Sequence, residues 1–204
     1  MLFCTLALTL ACAVDIAAPR IVAFGDSLTS GYGIGVSNAY PAVLQQRLDD
    51  AGLEFTMVNA GVSGDTSGRA AGRLDRAIEG NVRVLVLALG ANDGLRGVPV
   101  EQLKANLSRM IATAQARGIS VLLCGMEALP VYGWDYSVAF HRAYLELAER
   151  YQIPLVPFML ADVIGREGMM QRDHIHPTVA GARAIADNIW PHVKALVETL
   201  VGAK

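Results

Sequence analysis

Residues at four places in this chain could together carry out acyl transfer. Ser27 offers a hydroxyl, Asp173 and His176 a carboxylate and an imidazole three residues apart, and Asn92 an amide. Gly64 lies in a glycine-containing turn whose backbone N–H groups could face a ligand. Serine is a weak nucleophile until a neighbouring base takes its proton. A histidine, with an ordinary pKa of about 6.5, suits that task at neutral pH. An aspartate beside it can hold the imidazole in the right tautomer and stabilise its charged form. Asn92 and the N–H groups near Gly64 and Ser27 can donate to the oxyanion that develops, each donor typically worth about 3–4 kcal/mol.

Each of these residues also has a plainer reading. Ser27 could cap the helix that follows it. Asn92 could be a turn residue and Gly64 a position of positive φ. Asp26 and Asp93 read as turn or cap carboxylates. His174 adjoins Asp173 and competes with His176 for the same role; His141 and His192 fall in helical patterns and read as surface residues. The pair His174 and His176 could ligate a metal, but no H-E-x-x-H run or cysteine pair accompanies it, so no metal site is expected. Gly31, Gly33 and Gly35 do not make G-x-G-x-x-G and no Gly-Lys-Ser/Thr follows, so the stretch reads as a flexible loop beside a site rather than a nucleotide loop. Thr29 stands where a G-x-S-x-G elbow needs its last glycine, which disfavours an α/β-hydrolase.

The elements that must position these groups alternate along the chain. Ile21-Val22-Ala23-Phe24 is a short apolar run that stops at Gly25-Asp26-Ser27, a buried strand entering a tight turn. Further strands are expected at Phe55 to Asn59, Val82 to Leu89, Ile119 to Cys124 and Leu155 to Phe158. Helices are expected at Ala39 to Leu48, around Leu74 and Ile78 with Asp65 or Thr66 as cap, at Val100 to Arg117, from about Tyr136 to Tyr151, and at Thr178 to about Leu200 with a kink near Trp190 before Pro191. The continuous apolar run from Val84 to Leu87 suits a strand covered on both faces. The pattern predicts an α/β fold, a flavodoxin-like parallel sheet of five strands between helical layers. In such sheets the loops beyond the strands' C-terminal ends share one edge, so Ser27, Gly64, Asn92 and the Asp173–His176 segment can converge there.

At 204 residues, 53 % of them hydrophobic and 18 % charged, the chain can bury a large core, and disorder is excluded. A net charge of −2 leaves no electrostatic footprint for nucleic acid. Met1 to Ala13 is apolar, too short to span a bilayer as a helix, and ends in Ala11-Cys12-Ala13, which fits a signal-peptide cleavage site although no basic residue precedes it. Residues 1–13 are therefore expected to be a signal peptide, residues 14–204 the mature domain, and the location periplasmic or secreted. Cleavage there removes Cys4 and Cys12 and leaves Cys124, an apolar core thiol, so no disulfide framework is expected.

Four blocks in this order resemble the SGNH hydrolases of the GDSL type: Gly25-Asp26-Ser27-Leu28, Gly61-Val62-Ser63-Gly64-Asp65-Thr66, Gly90-Ala91-Asn92-Asp93, and Asp173-His174-Ile175-His176-Pro177. The runs from Asn59 to Ser67 and from Gly90 to Gly97 are similar to the multifunctional thioesterase I, arylesterase and lysophospholipase group. The resemblance implies a three-layer sandwich, the SGNH hydrolase fold, acting on small acyl esters or thioesters without metal or organic cofactor. It implies Ser27 as nucleophile, His176 rather than His174 as base, Asp173 as its orienter, and an oxyanion hole of Ser27 N–H, Gly64 N–H and the Asn92 amide. It also implies that Gly94, Leu95, Arg96, Gly97 and Val98 border the acyl groove. His174 and Ala91 depart from it, standing where such enzymes often have glycine. An acetyl esterase acting on carbohydrate or envelope polymers would keep the same site, and a binding module on the same sheet would have lost it.

Overall fold

The computed structural model describes residues 18–202, so the expected signal segment lies outside the described residues. Five parallel strands form one sheet: β1 (Arg20–Gly25), β2 (Thr56–Gly61), β3 (Val82–Ala88), β4 (Ser120–Cys124) and β5 (Leu155–Val156), in the order β2-β1-β3-β4-β5. This is the flavodoxin-like order the pattern predicts. β1 and β3 occupy the middle, and Ile21 to Phe24 and Val84 to Leu87 have no exposed surface, as strands covered on both faces require. The chain leaves β1 toward β2 on one side and returns to β3 on the other. That reversal makes the β1–β3 boundary the switch point where α/β sheets hold ligands. Gly25 pairs with Gly61 on one side and Ala88 on the other, so three loops leave the sheet abreast.

Helices cover both faces. They are α1 (Ser27–Ser30), α2 (Tyr40–Asp50), α3 (Ser67–Ala71), α4 (Leu74–Ala77), α5 (Ala91–Arg96), α6 (Val100–Ala116), α7 (Trp134–Tyr151) and α8 (Val179–Gly202). α2 packs on α8, while α6 packs on α3 and α7. The amphipathic stripe Leu103, Leu107, Met110, Ile111 and Ala114 of α6 is wholly buried, as its spacing requires.

Several local expectations need correction. Ser27 is not a helix cap: Asp26 caps α1, its carboxylate accepting from Leu28 N–H at 3.0 Å, and Ser27 is the first helical residue. The single helix expected through Leu74 and Ile78 is two short ones broken at Gly72 and Arg73, and Ile78 lies just past the second. Of the two caps expected, Asp65 and Thr66, it is Thr66 that caps the first of them. The segment after Gly90 is itself helical, as α5, rather than a plain turn. β5 stops at Val156, before Pro157, whose ring cannot donate to a ladder. As expected, α8 carries Pro191 inside its span from Val179 to Gly202. Arg47 of α2 donates to the Ala186 carbonyl at 3.1 Å and pairs with Asp187, fastening the turn that loses a backbone hydrogen bond to the proline. Cys124 is fully buried, and desolvation pushes its thiol pKa up to about 12. Among the described residues, no helix is long and apolar enough to cross a membrane.

Candidate active site

The loops beyond the sheet's C-terminal edge bring Ser27 and His176 into hydrogen-bonding reach. Ser27 Oγ lies 3.0 Å from His176 Nε2, and His176 Nδ1 lies 2.7 Å from Asp173 Oδ2. The other oxygen, Asp173 Oδ1, accepts the backbone N–H groups of Ile175 and His176, both at 3.0 Å. The hydrogen bond from the His176 ring, followed by those two N–H groups, holds the Asp173 carboxyl well below the usual carboxylate range. Asp173 therefore remains an anion, fixed in direction, at one ring nitrogen while Ser27 meets the other. His174 has no such contact with Ser27; it takes a left-handed conformation at φ 56°. Glycine adopts that conformation freely, which is the physical reason a glycine suits this position and the histidine departs from the pattern at a cost.

Ser27, Gly64, Asn92 and His176 line one cleft of about 760 Å³. Its remaining wall is mostly apolar and includes Met126, Ala128, Leu160, Ile164 and Met170. Of the expected groove segment, Gly94 and Leu95 line the cleft. Arg96 instead donates to the Gly64 carbonyl at 3.2 Å. Gly97 packs against the Tyr132 ring, and Val98 N–H donates to the Asp93 carbonyl at 3.0 Å; neither is among the lining residues. Glu127 also lines the cleft and accepts from His141 Nδ1 at 2.6 Å. The expected groove segment offered no hint of this pair. Among the described residues, no three His, Cys, Asp or Glu side chains are grouped to hold a metal ion.

Asn92 is oriented from beneath. Its Nδ2 donates to the Asp65 carbonyl at 3.0 Å and, more loosely, to Asp26 Oδ2 at 3.3 Å. Asp26 is 1 % exposed, and burial pushes its pKa up to about 6 against the lowering effect of Leu28 N–H and Asn92. Asp93 holds the neighbouring loop: its carboxylate accepts from Ser67 N–H at 2.8 Å and Ser67 Oγ at 2.6 Å, and Asn106 Nδ2 donates to the same hydroxyl. Burial raises the Asp93 pKa as well. Gly90 makes α5 possible. Its φ is 122°, and a Cβ there would lie 1.9 Å from the Tyr144 hydroxyl, which donates to the Leu89 carbonyl.

Arg73 was not visible as a site residue, since it sits in what reads as ordinary helix. Its Nε donates to Asp65 Oδ2, Nη1 to the Ala60 carbonyl and Nη2 to the Gly25 carbonyl, each at 2.7 Å. Its guanidinium also lies over the Phe24 ring, 4.1 Å from the centroid. One planar fork thus ties the ends of β1 and β2 to the Gly64 loop.

Residues 23–184 match the GDSL-like Lipase/Acylhydrolase family. The chain belongs to that family. It is 42 % identical over 182 residues to Esterase TesA of Pseudomonas aeruginosa, spanning 89 % of this chain and 90 % of that one. It is 34 % identical over 182 residues to Thioesterase 1/protease 1/lysophospholipase L1 of Escherichia coli K12, spanning 89 % and 86 %. Among solved structures it is similar to the psychrotrophic esterase EstA from Pseudoalteromonas sp., inhibited by monoethylphosphonate, with TM-score 0.83 and 31 % identity over 88 % of this chain and 98 % of that one. The SGNH hydrolase fold expected from the four blocks is the fold this GDSL-family chain has.

Proposed function

We propose that this GDSL-family hydrolase cleaves carboxylic esters and thioesters of acyl chains through an acyl-enzyme on Ser27. The observation that carries the reading is the unbroken line from Asp173 through His176 to Ser27 Oγ, at 2.7 and 3.0 Å, in a cleft with apolar walls. Ser27 Oγ forms a bond to the acyl carbonyl carbon while its proton passes to His176 Nε2. The carbonyl electron pair moves onto oxygen, and the Asn92 amide with the N–H groups of Ser27 and Gly64 meets the charge. Of the two contacts of Asn92 Nδ2, the looser one to Asp26 Oδ2 at 3.3 Å is the one an oxyanion would compete for, while the bond to the Asp65 carbonyl at 3.0 Å fixes the amide plane. Collapse breaks the C–O or C–S bond, and the leaving alcohol or thiol takes the proton from His176. Water then gives a proton to His176 and attacks the acyl carbon; the acid departs and the proton returns to Ser27.

The names of the relatives, an esterase and a thioesterase, support action on both oxygen and sulfur esters. Apolar walls favour an acyl chain over a bare acetyl group, and rates on acetyl against octanoyl p-nitrophenyl esters test this: faster acetyl turnover would point to an acetyl esterase. Ser27→Ala is expected to lower kcat more than about a thousandfold; near wild-type turnover would refute the mechanism. Only a neutral imidazole can accept the Ser27 proton, so His176→Ala is expected to lower kcat about as far as Ser27→Ala, and near wild-type turnover would count against His176 as base. A periplasmic or secreted location is supported by the apolar Met1 to Ala13 segment.

A further inference from the structure

The sheet holds the loops of Ser27, Gly64 and Asn92 abreast, but the Asp173–His176 loop arrives from the other end of the chain and needs its own fastening. One side chain supplies it. Gln171 Nε2 donates to the Tyr32 carbonyl at 2.8 Å and to the Pro177 carbonyl at 2.9 Å. Its backbone N–H donates to the His176 carbonyl at 2.7 Å, and its own carbonyl accepts His174 N–H at 3.0 Å. Tyr32 is bonded back to the nucleophile residue, its N–H donating to the Ser27 carbonyl at 3.2 Å. Its ring lies against the His176 imidazole with centroids 4.5 Å apart. Ser27, Tyr32, Gln171 and His176 therefore form a closed ring of hydrogen bonds whose last link is the 3.0 Å contact of His176 Nε2 with Ser27 Oγ. The fit is tight. Gly33 has φ +76°, and a Cβ on it would come within 2.3 Å of Gln171 Oε1.

We infer that Gln171 is a positioning residue for the reaction: its amide joins the loop after Ser27 to the loop carrying Asp173 and His176, and so sets the distance from imidazole to hydroxyl. Gln171 is not among the residues lining the cleft, and its effect passes through His176. The inference rests on the mechanism proposed above, because it matters only if His176 takes the Ser27 proton.

The test compares Gln171→Ala and Gln171→Met with the wild type in the full chain. Methionine keeps the stem and most of the volume but has no donor, so it separates packing from hydrogen bonding. A displacement of about 1 Å in a reacting pair typically costs about a hundredfold. Both variants are expected to lose about 10- to 100-fold in kcat on a p-nitrophenyl ester, with KM changed less than about threefold. The rate of labelling by a fluorophosphonate should fall by a similar factor, because the same hydroxyl must attack phosphorus as fluoride leaves. Labelling should still run to one adduct per chain, which partial misfolding would not permit. Wild-type kcat in Gln171→Met, a loss confined to KM, or sub-stoichiometric labelling at an unchanged rate would each overturn the inference. Ser27→Ala in the same series keeps the two ideas apart. Activity surviving there refutes the serine mechanism, whereas a silent Gln171→Met in an enzyme that Ser27→Ala inactivates refutes the clamp alone.

Discussion

Replacing Asp26 by asparagine tests whether a carboxylate beneath the site carries the cost of burial. Desolvation raises its pKa from 3.8 to about 6, with Asp93 adding to the rise and Leu28 N–H, Asn92 and His176 opposing it. A raised carboxyl pKa means that folding favours the protonated form. Below about pH 4 both the folded and unfolded chains hold the proton, and this group contributes no pH dependence. Between about pH 4 and 6 the unfolded chain ionises while the folded one keeps its proton, so stability falls as pH rises. Above about pH 6 both are ionised and the penalty is constant. About two pH units at 1.36 kcal/mol each make this penalty about 3 kcal/mol. Asparagine cannot ionise. It also sets an NH₂ group against Asn92 Nδ2, a constant cost of about 1–3 kcal/mol. Urea unfolding of both proteins at intervals from about pH 4 to 8 gives the difference directly, because other titrations cancel in it. The variant should gain on the wild type by about 3 kcal/mol across that range, most of it between about pH 4 and 6. A difference constant to within about 0.5 kcal/mol would refute the assignment of burial as the cause. Because the misplaced amide turns Asn92, kcat should fall as well, at every pH.

Four further outcomes follow from the same geometry. Asp173→Asn removes the anion that selects the imidazole tautomer, and kcat should fall about 10³- to 10⁴-fold with KM little changed in steady-state assays. Arg73→Met leaves the buried Asp65 and the Ala60 and Gly25 carbonyls without their fork, and urea titration should show a loss of about 3 kcal/mol. His174→Gly relieves the left-handed backbone and should leave stability unchanged or raised by up to about 1 kcal/mol, whereas His174→Val should lose about 1–2 kcal/mol in thermal melts. Cys124 should remain unalkylated in the native protein and react only on unfolding, as peptide mapping after iodoacetamide would show.

The sheet was legible because its signal is local. Val84 to Leu87 is apolar at every position, and no helix of ordinary length could hide that run on both sides. Ser27, Gly64 and Asn92 were legible because each lies just past a strand end on one edge of the sheet, whereas His176, in a loop far beyond β5, was separated from His174 only by the resemblance to the GDSL-type hydrolases. What escaped was of two kinds. Short helices such as α1, α4 and α5 span barely a turn, too few residues for an apolar period to show. The fastening residues escaped because their partners are backbone carbonyls, which carry no side-chain signature: Arg73 reaches the Gly25 and Ala60 carbonyls, and Gln171 those of Tyr32 and Pro177. Of the expected groove segment only Gly94 and Leu95 line the cleft, for a similar reason. Gly97 is left-handed at φ 63° and turns the chain away after Leu95, so Val98 faces the Asp93 carbonyl instead of the cleft.

Those fastenings also explain how polar loops are held in place at the edge of an apolar sheet. Loop backbone has unpaired donors and acceptors by default, and each that is buried must find a partner. Here the partners are side chains placed on a neighbouring loop. Asn59 Nδ2 donates to the Thr29 carbonyl while its Oδ1 accepts Gly61 N–H, joining the turn after Ser27 to the turn before Gly64. Asp93 does the same between α5 and α3, and Arg73 between β1, β2 and Asp65. A single amide or guanidinium that satisfies two loops at once makes their positions depend on each other, so neither can shift without stranding a buried group at a cost of about 1–3 kcal/mol. The reacting groups themselves then need few direct contacts. Ser27 Oγ has the His176 imidazole, and much of the remaining order is supplied from beneath the cleft by Asp26, Asp65 and Arg73.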